Sequence, residues 1–239
     1  MQLLIGKLAV NPPVLFIPGF AGTSAMWDYT ITHLNDLIDA QSLVMNADSL
    51  HEMVESVVKS YPDQFSIVGH SMGSWVGAAV AAMYPARISK LVLMDGWARS
   101  NPDKAADMEK TLKAYQSGLY QETLAQHRPQ VFYANNPDFA KNVEFLKSLH
   151  DQMPEDVLLK QWTAMVNDND IRELLPKIQC PTLVVHGRHD PWFDLEESLF
   201  LAQSIHQSQY TIVEDAAHGT PIEQPQATTA LLRLFFGNN

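Results

Sequence analysis

The stretch that decides the fold is Phe65-Ser66-Ile67-Val68-Gly69-His70-Ser71-Met72-Gly73. Its first four residues are short, apolar and β-branched enough to predict a buried strand. The Ala-rich segment over 72–84 predicts a helix, which Pro85 would stop. A G-x-S-x-G motif between a strand and a helix holds its serine in a strained turn with the hydroxyl exposed. The start of the helix also brings free N–H groups and a positive dipole end beside Ser71.

A serine hydroxyl is a weak nucleophile, so it needs a base, and the base needs an orienting acid. With this turn, the expected chain order is serine, acid, histidine. The segment 182–186 predicts a strand, and Asp190 lies in the loop after it. The segment 210–213 predicts another strand, and His218 follows in the next loop. The sequence therefore predicts Ser71, Asp190 and His218 as the catalytic residues.

A fourth element supplies hydrogen-bond donors. Val14–Ile17 reads as a central strand that runs into Pro18-Gly19-Phe20-Ala21-Gly22. The glycines let the backbone turn inward, so that the N–H groups of Phe20 and Met72 form an oxyanion hole.

Other polar residues near these loops offer alternatives. Asp215 is only three residues from His218, too local to orient its ring from the opposite side. His186, His189 and Asp190 could suggest a metal site, but His186 falls at a strand end and no third spaced ligand set is present. We expect no metal and no cofactor.

The chain resembles the α/β-hydrolase superfamily, and within it the small carboxylesterase branch that includes pimeloyl-[acyl-carrier-protein] methyl ester esterase. The matching segments span about Val14 to Phe236: Ile17-Pro18-Gly19-Phe20, Gly69-His70-Ser71-Met72-Gly73, Pro181-Thr182-Leu183-Val184-Val185-His186-Gly187 with Asp190, and Ala217-His218 followed by Glu223-Gln224-Pro225. Most relatives have His-Gly where this chain has Pro18-Gly19. The resemblance also leaves Asp95 open as an alternative acid, because some members of the superfamily place it at the end of that strand; Asp190 is favoured.

Strand and helix signals alternate, which predicts an α/β fold with a mostly parallel sheet and helices on both faces. The predicted strands are Val14–Ile17, 43–45, 65–68, 91–94, 183–186 and 210–213, with about one more strand before Val14. The predicted helices of this core are 26–38, Leu50–Ser60, 72–84, 196–205 and 225–235.

Residues 97–177, the cap region, show no strand signal. They predict helices over 102–117, 119–134, 137–152 and 155–168. We expect a helical cap (lid) insertion over 97–177 on an α/β-hydrolase core of residues 1–96 and 178–239, as relatives have. Such a cap encloses an apolar acyl pocket over Ser71, and Trp97 and Trp192 flank the catalytic loops as its predicted substrate-binding residues.

Composition limits location and partners. No apolar run approaches the ~18–20 residues that cross a bilayer, no signal peptide is evident, and a lone Cys180 fits a reducing compartment, so we expect a cytoplasmic protein without membrane insertion. The net charge of −11 disfavours nucleic acid as a partner. The cap region has 10 Lys+Arg and 12 Asp+Glu, against 6 and 15 elsewhere. This relatively basic cap could accept an acidic carrier protein bearing the acyl group; equal kcat/KM for carrier-linked and free esters at low salt would contradict that.

The expected function is hydrolysis of a small-molecule carboxylic ester through an acyl-enzyme on Ser71. The same three residues could instead cleave a thioester, a lactone or a carbon–carbon bond, or catalyse an elimination. From a different class, the chain could be a non-catalytic ligand-binding module. The presence of all three residues argues against that, because a receptor needs the cavity but not the base.

Overall fold

A six-stranded parallel sheet forms the centre of the molecule, which we describe from a computed structural model over residues 12–61, 63–99 and 102–237. The strand expected before Val14 falls in residues 1–11 and lies outside the described residues. The strands are β1 Val14–Ile17, β2 Ala40–Ser42, β3 Phe65–His70, β4 Ile88–Met94, β5 Thr182–Gly187 and β6 Ser208–Val213. Their spatial order is β2-β1-β3-β4-β5-β6, and every neighbouring pair is parallel.

The central strands are buried because helices cover both faces of the sheet. Every residue of β1, β3 and β5 is buried, as the continuous apolar runs in the sequence predicted. Alternate side chains of β1 point to opposite faces: Leu15 and Ile17 pack in one core, and Val14 and Phe16 in the other. The predicted α/β fold is confirmed.

The helices of this core are α1 Asp28–Thr32, α2 Leu50–Ser60, α3 Met72–Met83, α8 Leu195–Ser204, α9 Thr220–Glu223 and α10 Pro225–Gly237. The single helix predicted over 26–38 is wrong. A 3₁₀ helix, Ser24–Trp27, precedes the five-residue α1, and hydrogen-bonded turns such as Leu37 N–H to the Leu34 carbonyl follow it. Trp27 and Leu34 are nevertheless fully buried, so the apolar pattern reflects side-chain packing and not a continuous helix.

The second strand also lies earlier than predicted. Its pairing with β1 covers Ala40–Ser42, whereas the apolar residues 43–45 were expected to form the strand. Met45 is still 1% exposed, so those side chains pack in the core after the strand has ended. β2 is an edge strand among the described residues, so β1 is the one described strand that it pairs with. The pairing of Val14 with Ala40 therefore sets which residues form β2.

The connection between β4 and β5 contains the helices α4 Pro102–Gln116, α5 Tyr120–His127, α6 Phe139–His150 and α7 Glu155–Asn167. The helix predicted over 119–134 is too long. The α-helix ends at His127, and a 3₁₀ helix over Arg128–Val131, with a proline at its start, follows it. No helix in the described parts of the chain is long and apolar enough to cross a membrane.

The strand order places a crevice where the site was expected. The chain passes from β2 to the far side of β1, and in open α/β sheets ligands bind at the carboxyl ends of strands beside such a reversal. Ile17 lies opposite Gly69, and His70 lies opposite Met94. The residues after β1, β3 and β4 therefore emerge side by side at one edge of the sheet.

Candidate active site

Ser71 occupies the sharp turn between β3 and α3. Its φ of 52° lies in the left-handed region, which side chains rarely adopt, and it is 8% exposed. The flanking glycines permit the turn. A Cβ on Gly69 would lie 2.2 Å from the Gly73 carbonyl oxygen, and a Cβ on Gly73 would lie 2.1 Å from the Ile17 carbonyl oxygen. The turn thus presses α3 directly against the end of β1.

The structure brings Ser71, His218 and Asp190 into one hydrogen-bonded chain. His218 Nε2 lies 2.8 Å from Ser71 Oγ, and His218 Nδ1 lies 2.7 Å from Asp190 Oδ2. The other oxygen of Asp190 accepts the backbone N–H groups of Trp192 and Phe193, at 2.8 and 3.1 Å. These bonds fix the carboxylate, which in turn fixes the imidazole toward the serine.

Opposite charges stabilise this buried pair. Burial alone would lower the pKa of His218, but the charge and hydrogen bond of Asp190 raise that pKa above its ordinary value, with smaller contributions from Asp95 and Glu223. Burial alone would raise the pKa of Asp190, but the charge and hydrogen bond of His218 hold it below the ordinary range. The arrangement therefore favours Asp190 as a carboxylate and stabilises a proton taken up by His218.

Asp95, the alternative acid, is fully buried beneath the site and does not bond the His218 ring. Its Oδ1 accepts the N–H of Gly187 and the hydroxyl of Thr220, at 2.9 and 3.0 Å. It ties the end of β5 to the segment after His218, so its contacts are those of a brace between two loops. His70, within the serine turn, lies 2.7 Å from the His218 carbonyl oxygen through Nε2.

The loop after β1 reaches the serine, as expected for the predicted donors. A Cβ on Gly19 would lie 3.1 Å from Ser71 Cβ, so the backbone of this loop runs directly past the serine. Met72 is the first residue of α3, where an N–H has no partner within the helix. Within the described part of the chain, the N–H groups of Phe20 and Met72 donate to no protein atom. The lack of a protein partner is what the predicted pair of oxyanion donors requires.

Gln161, which the sequence reasoning missed, holds that loop in place. Its side chain is fully buried on α7, and Oε1 accepts the N–H of Ala21 at 3.0 Å. Its Nε2 donates to the Met45 carbonyl at 2.7 Å. The contact supports the left-handed conformation of Ala21, whose φ is 57°. A single glutamine on a helical apolar face carries no sequence signal for this role.

Glu223 was also missed as a contributor, although it lies in a segment that carried the resemblance. Its two oxygens accept the N–H of Ala217 and the N–H of Tyr133, each at 2.7 Å. Ala217 precedes His218, and Tyr133 belongs to the cap region. Burial raises the pKa of Glu223 to about 7. Glu223 thus joins the loop that carries His218 to Tyr133 of the cap region.

A cavity of about 600 Å³ opens onto Ser71 and His218. Both predicted pocket residues line it. Trp97 stacks between Trp75 and Phe193, with ring centroids 5.8 and 5.0 Å away, and Trp192 meets the His218 ring edge-on at 4.6 Å. Further lining comes from the cap region, including Leu124, Leu146, Leu149, Trp162 and Met165.

His186 and Asp190 lie close together, but His189, the third residue of the possible metal site, does not join them. His189 stacks on the Tyr133 ring, 3.9 Å between centroids. Asp95, His186 and Asp190 do have potential ligand atoms within 4.8 Å of one another. Both oxygens of Asp190 are engaged by the hydrogen bonds described above, and the second oxygen of Asp95, Oδ2, accepts the N–H of Thr220 at 3.3 Å, so we assign no metal there.

Comparison with known proteins agrees with this architecture. The model of the alpha/beta hydrolase fold family matches residues 45–225, most of the chain. The chain belongs to the α/β-hydrolase fold family. Among curated relatives, this α/β-hydrolase is 23% identical over 256 residues to mouse (Mus musculus) monoacylglycerol lipase ABHD6, covering 95% of this chain and 76% of that protein. It is 22% identical over 236 residues to the pimeloyl-[acyl-carrier protein] methyl ester esterase of Nitrosomonas europaea, covering 90% and 92%.

Solved structures share the fold of this α/β-hydrolase. A thermophilic esterase from Thermogutta terrifontis, determined with malate bound, superimposes with a TM-score of 0.85 at 24% identity, covering 95% of this chain and 90% of that one. The named relatives are lipases and esterases, which supports a hydrolase and the esterase branch that the sequence resembles.

Proposed function

We propose that this α/β-hydrolase is a serine esterase that cleaves carboxylic esters through an acyl-enzyme on Ser71. The observation that carries the proposal is the hydrogen-bonded chain from Asp190 through His218 to Ser71, at the floor of a largely apolar cavity. A ligand-binding module would need the cavity, but it would not need a buried histidine held against a serine in a strained turn.

The mechanism is a two-step acyl transfer. His218 removes the proton of Ser71 as Oγ attacks the ester carbonyl, and Asp190 holds the ring and stabilises the imidazolium. The N–H groups of Phe20 and Met72 hold the oxyanion of the tetrahedral intermediate. When it collapses, the bond to the alcohol oxygen breaks and His218 returns the proton to that oxygen. Water then attacks the acyl-enzyme by the same route, releasing the acid and restoring the serine.

The substrate class comes from the cavity and from the relatives. Its wall is mainly apolar, with aromatic rings at Trp97 and Trp192 beside the reacting groups. The relatives' names include a methyl ester esterase and a monoacylglycerol lipase, both of which point to ester substrates. We propose that the substrate is an ester whose small or medium acyl group lies under the cap region.

Covalent labelling tests the proposal. A fluorophosphonate should label the protein at Ser71, and Ser71→Ala should lose both the label and the hydrolysis of p-nitrophenyl esters, by roughly 10⁴-fold or more. Ser148→Ala is the matched control, because Ser148 is an exposed serine on α6 and should change neither. A panel of esters, thioesters and lactones then fixes the bond cleaved. A folded protein that is neither labelled nor active on any activated acyl donor would exclude an esterase.

A further inference from the structure

Arg128 is a buried cation in the wall of the cavity that holds Ser71. It begins the 3₁₀ helix Arg128–Val131, is 7% exposed, and lines the cavity together with apolar residues such as Leu124 and Leu146. Buried arginines are almost always paired, because an isolated charge loses its hydration. Across the residues that the structure describes, no carboxylate lies within ion-pair distance of this guanidinium.

Arg128 hydrogen-bonds a neutral side chain, and the carboxylate that feels its charge, Asp151, is bound mainly by Lys147. The Nε–H of Arg128 donates to His150 Nδ1 at 3.4 Å. Burial, together with the charge of Arg128, lowers the pKa of His150 to about 4, so the imidazole is neutral near pH 7 and acts as an acceptor. The terminal nitrogens of Arg128 make no protein hydrogen bond within the described residues, and protein atoms do not seal them off. They are open to a ligand.

The other charged residues that line the cavity are mostly cationic. Lys104 and Lys110 also line it, and the one carboxylate among the described lining residues is that of the exposed Asp107. Lys104 donates to the Trp192 carbonyl. This cationic lining belongs to a protein with a net charge of −11, so it is not a general property of the surface.

Arg128 also stands close to the reacting groups. The carbonyl of Val131, at the end of the same 3₁₀ helix, accepts the N–H of Gly219, the residue after His218. Three residues of 3₁₀ helix advance by roughly 6 Å. Because Arg128 and Ser71 line the same cavity, one ligand can contact both.

We propose that Arg128 binds a carboxylate on the acyl part of the substrate, so that the ester cleaved is a half-ester of a short dicarboxylic acid. The proposal rests on the esterase function argued above and names its substrate class. With Nε–H engaged by His150, the edge formed by the two terminal nitrogens of the guanidinium stays free, and it matches a carboxylate in bidentate geometry. The apolar wall between the two groups accepts the methylene chain, and the other end of that chain carries the ester that Ser71 attacks.

Matched esters test the proposal in the intact protein. The probes are monomethyl glutarate and its terminal carboxamide, which have the same shape and differ in the charge at the end remote from the ester. For the unchanged protein we expect kcat/KM to favour the carboxylate by about 10- to 100-fold, the range of a charge-assisted bond. Arg128→Gln should abolish that preference while the carboxamide ester is still cleaved. Arg172→Gln, which removes an exposed arginine paired with Asp170, is the control and should keep the preference.

The outcomes separate the two proposals. Hydrolysis of both probes at equal kcat/KM by the unchanged protein would overturn the carboxylate site and leave the esterase standing. If no ester is cleaved, calorimetric binding of the same two probes to Ser71→Ala still decides, because the carboxylate should bind at least about tenfold more tightly; equal affinities would overturn the site. Should Arg128→Gln not fold, Arg128→Lys keeps the charge but loses the fork, and its preference for the carboxylate should fall well below that of the unchanged protein.

Discussion

The proposed chemistry depends on His218, because its imidazole must be neutral to accept the proton of Ser71. Its pKa is raised by Asp190, so protonation should begin at a higher pH than for a free histidine. As the pH falls, the fraction of neutral imidazole falls, and kcat/KM should fall with it. We expect a midpoint above the ordinary value of ~6.5.

Two variants separate this effect from general acid damage. Asp190→Asn removes the charge that raises the pKa, so the midpoint should move down while the rate falls by roughly 10⁴-fold. Asp215→Asn changes an exposed aspartate in the histidine loop and should leave the midpoint in place. A profile of kcat/KM that is flat from pH 5 to 8, with chemistry limiting, would contradict the role of His218 as base.

Residues that follow strands were predictable, and chain order favoured Asp190 over Asp95, but the sequence could not exclude Asp95. Asp95 and Asp190 follow the adjacent strands β4 and β5, and both could reach a histidine at that edge. Two properties that a single sequence does not display separate them. The Asp190 loop turns back so that its carboxylate meets His218 Nδ1, whereas Asp95 is taken up by Gly187 and Thr220.

At the scale of elements, α3 lies against the sheet through two glycines, and their surroundings differ. A Cβ on Gly73 would meet the backbone oxygen of Ile17 at 2.1 Å, whereas one on Gly77 would meet the Ile67 side chain at 3.0 Å. Gly73→Ala should push the start of α3 away from β1 and misplace the Met72 N–H and Ser71. We expect a loss of about 1–3 kcal/mol of stability and roughly 100-fold or more in kcat/KM.

Gly77→Ala is the matched control on the same helix. Its new methyl group meets a side chain that can shift, and alanine gains about 1 kcal/mol of helix propensity over glycine. Urea unfolding and ester hydrolysis on both variants measure the difference. Equal losses in stability and activity would show that the approach of α3 to β1 does not position the site.

Elements were predictable where burial is continuous and less so where it is not. The runs of β3 and β5 stood out because each is buried along its whole length, and the Ala-rich α3 because it is buried from its start to Ala82. The edge strand β2 and the short α1 were misplaced because their apolar residues pack whether or not the backbone is regular. The division into core and cap, the roles of the site residues and the cytoplasmic location stay predictions.

At the scale of the whole molecule, two buried groups make stability depend on pH in opposite directions. His150 and Glu223 are each 6% exposed. Burial lowers the pKa of His150 to about 4, so between ~6.5 and 4 the unfolded chain takes up a proton that the folded chain does not. Stability is lost as the pH falls through that window. Burial raises the pKa of Glu223 to about 7, so between 7 and ~4.5 the folded chain holds the extra proton, and stability is gained as the pH falls.

Because the two contributions have similar size, they should nearly cancel between pH 7 and 5 in the unchanged protein, and single variants should expose each one. Relative to that protein, Glu223→Gln should lose about 2 kcal/mol more of its unfolding free energy on going from pH 7 to 5, and His150→Gln should gain about 2 kcal/mol. Urea unfolding of all three proteins at both pH values and one ionic strength measures these differences, and titrations common to the three cancel. An identical change in all three would mean that neither group keeps a shifted pKa in the folded protein, and the neutral His150 beside Arg128 would lose its support.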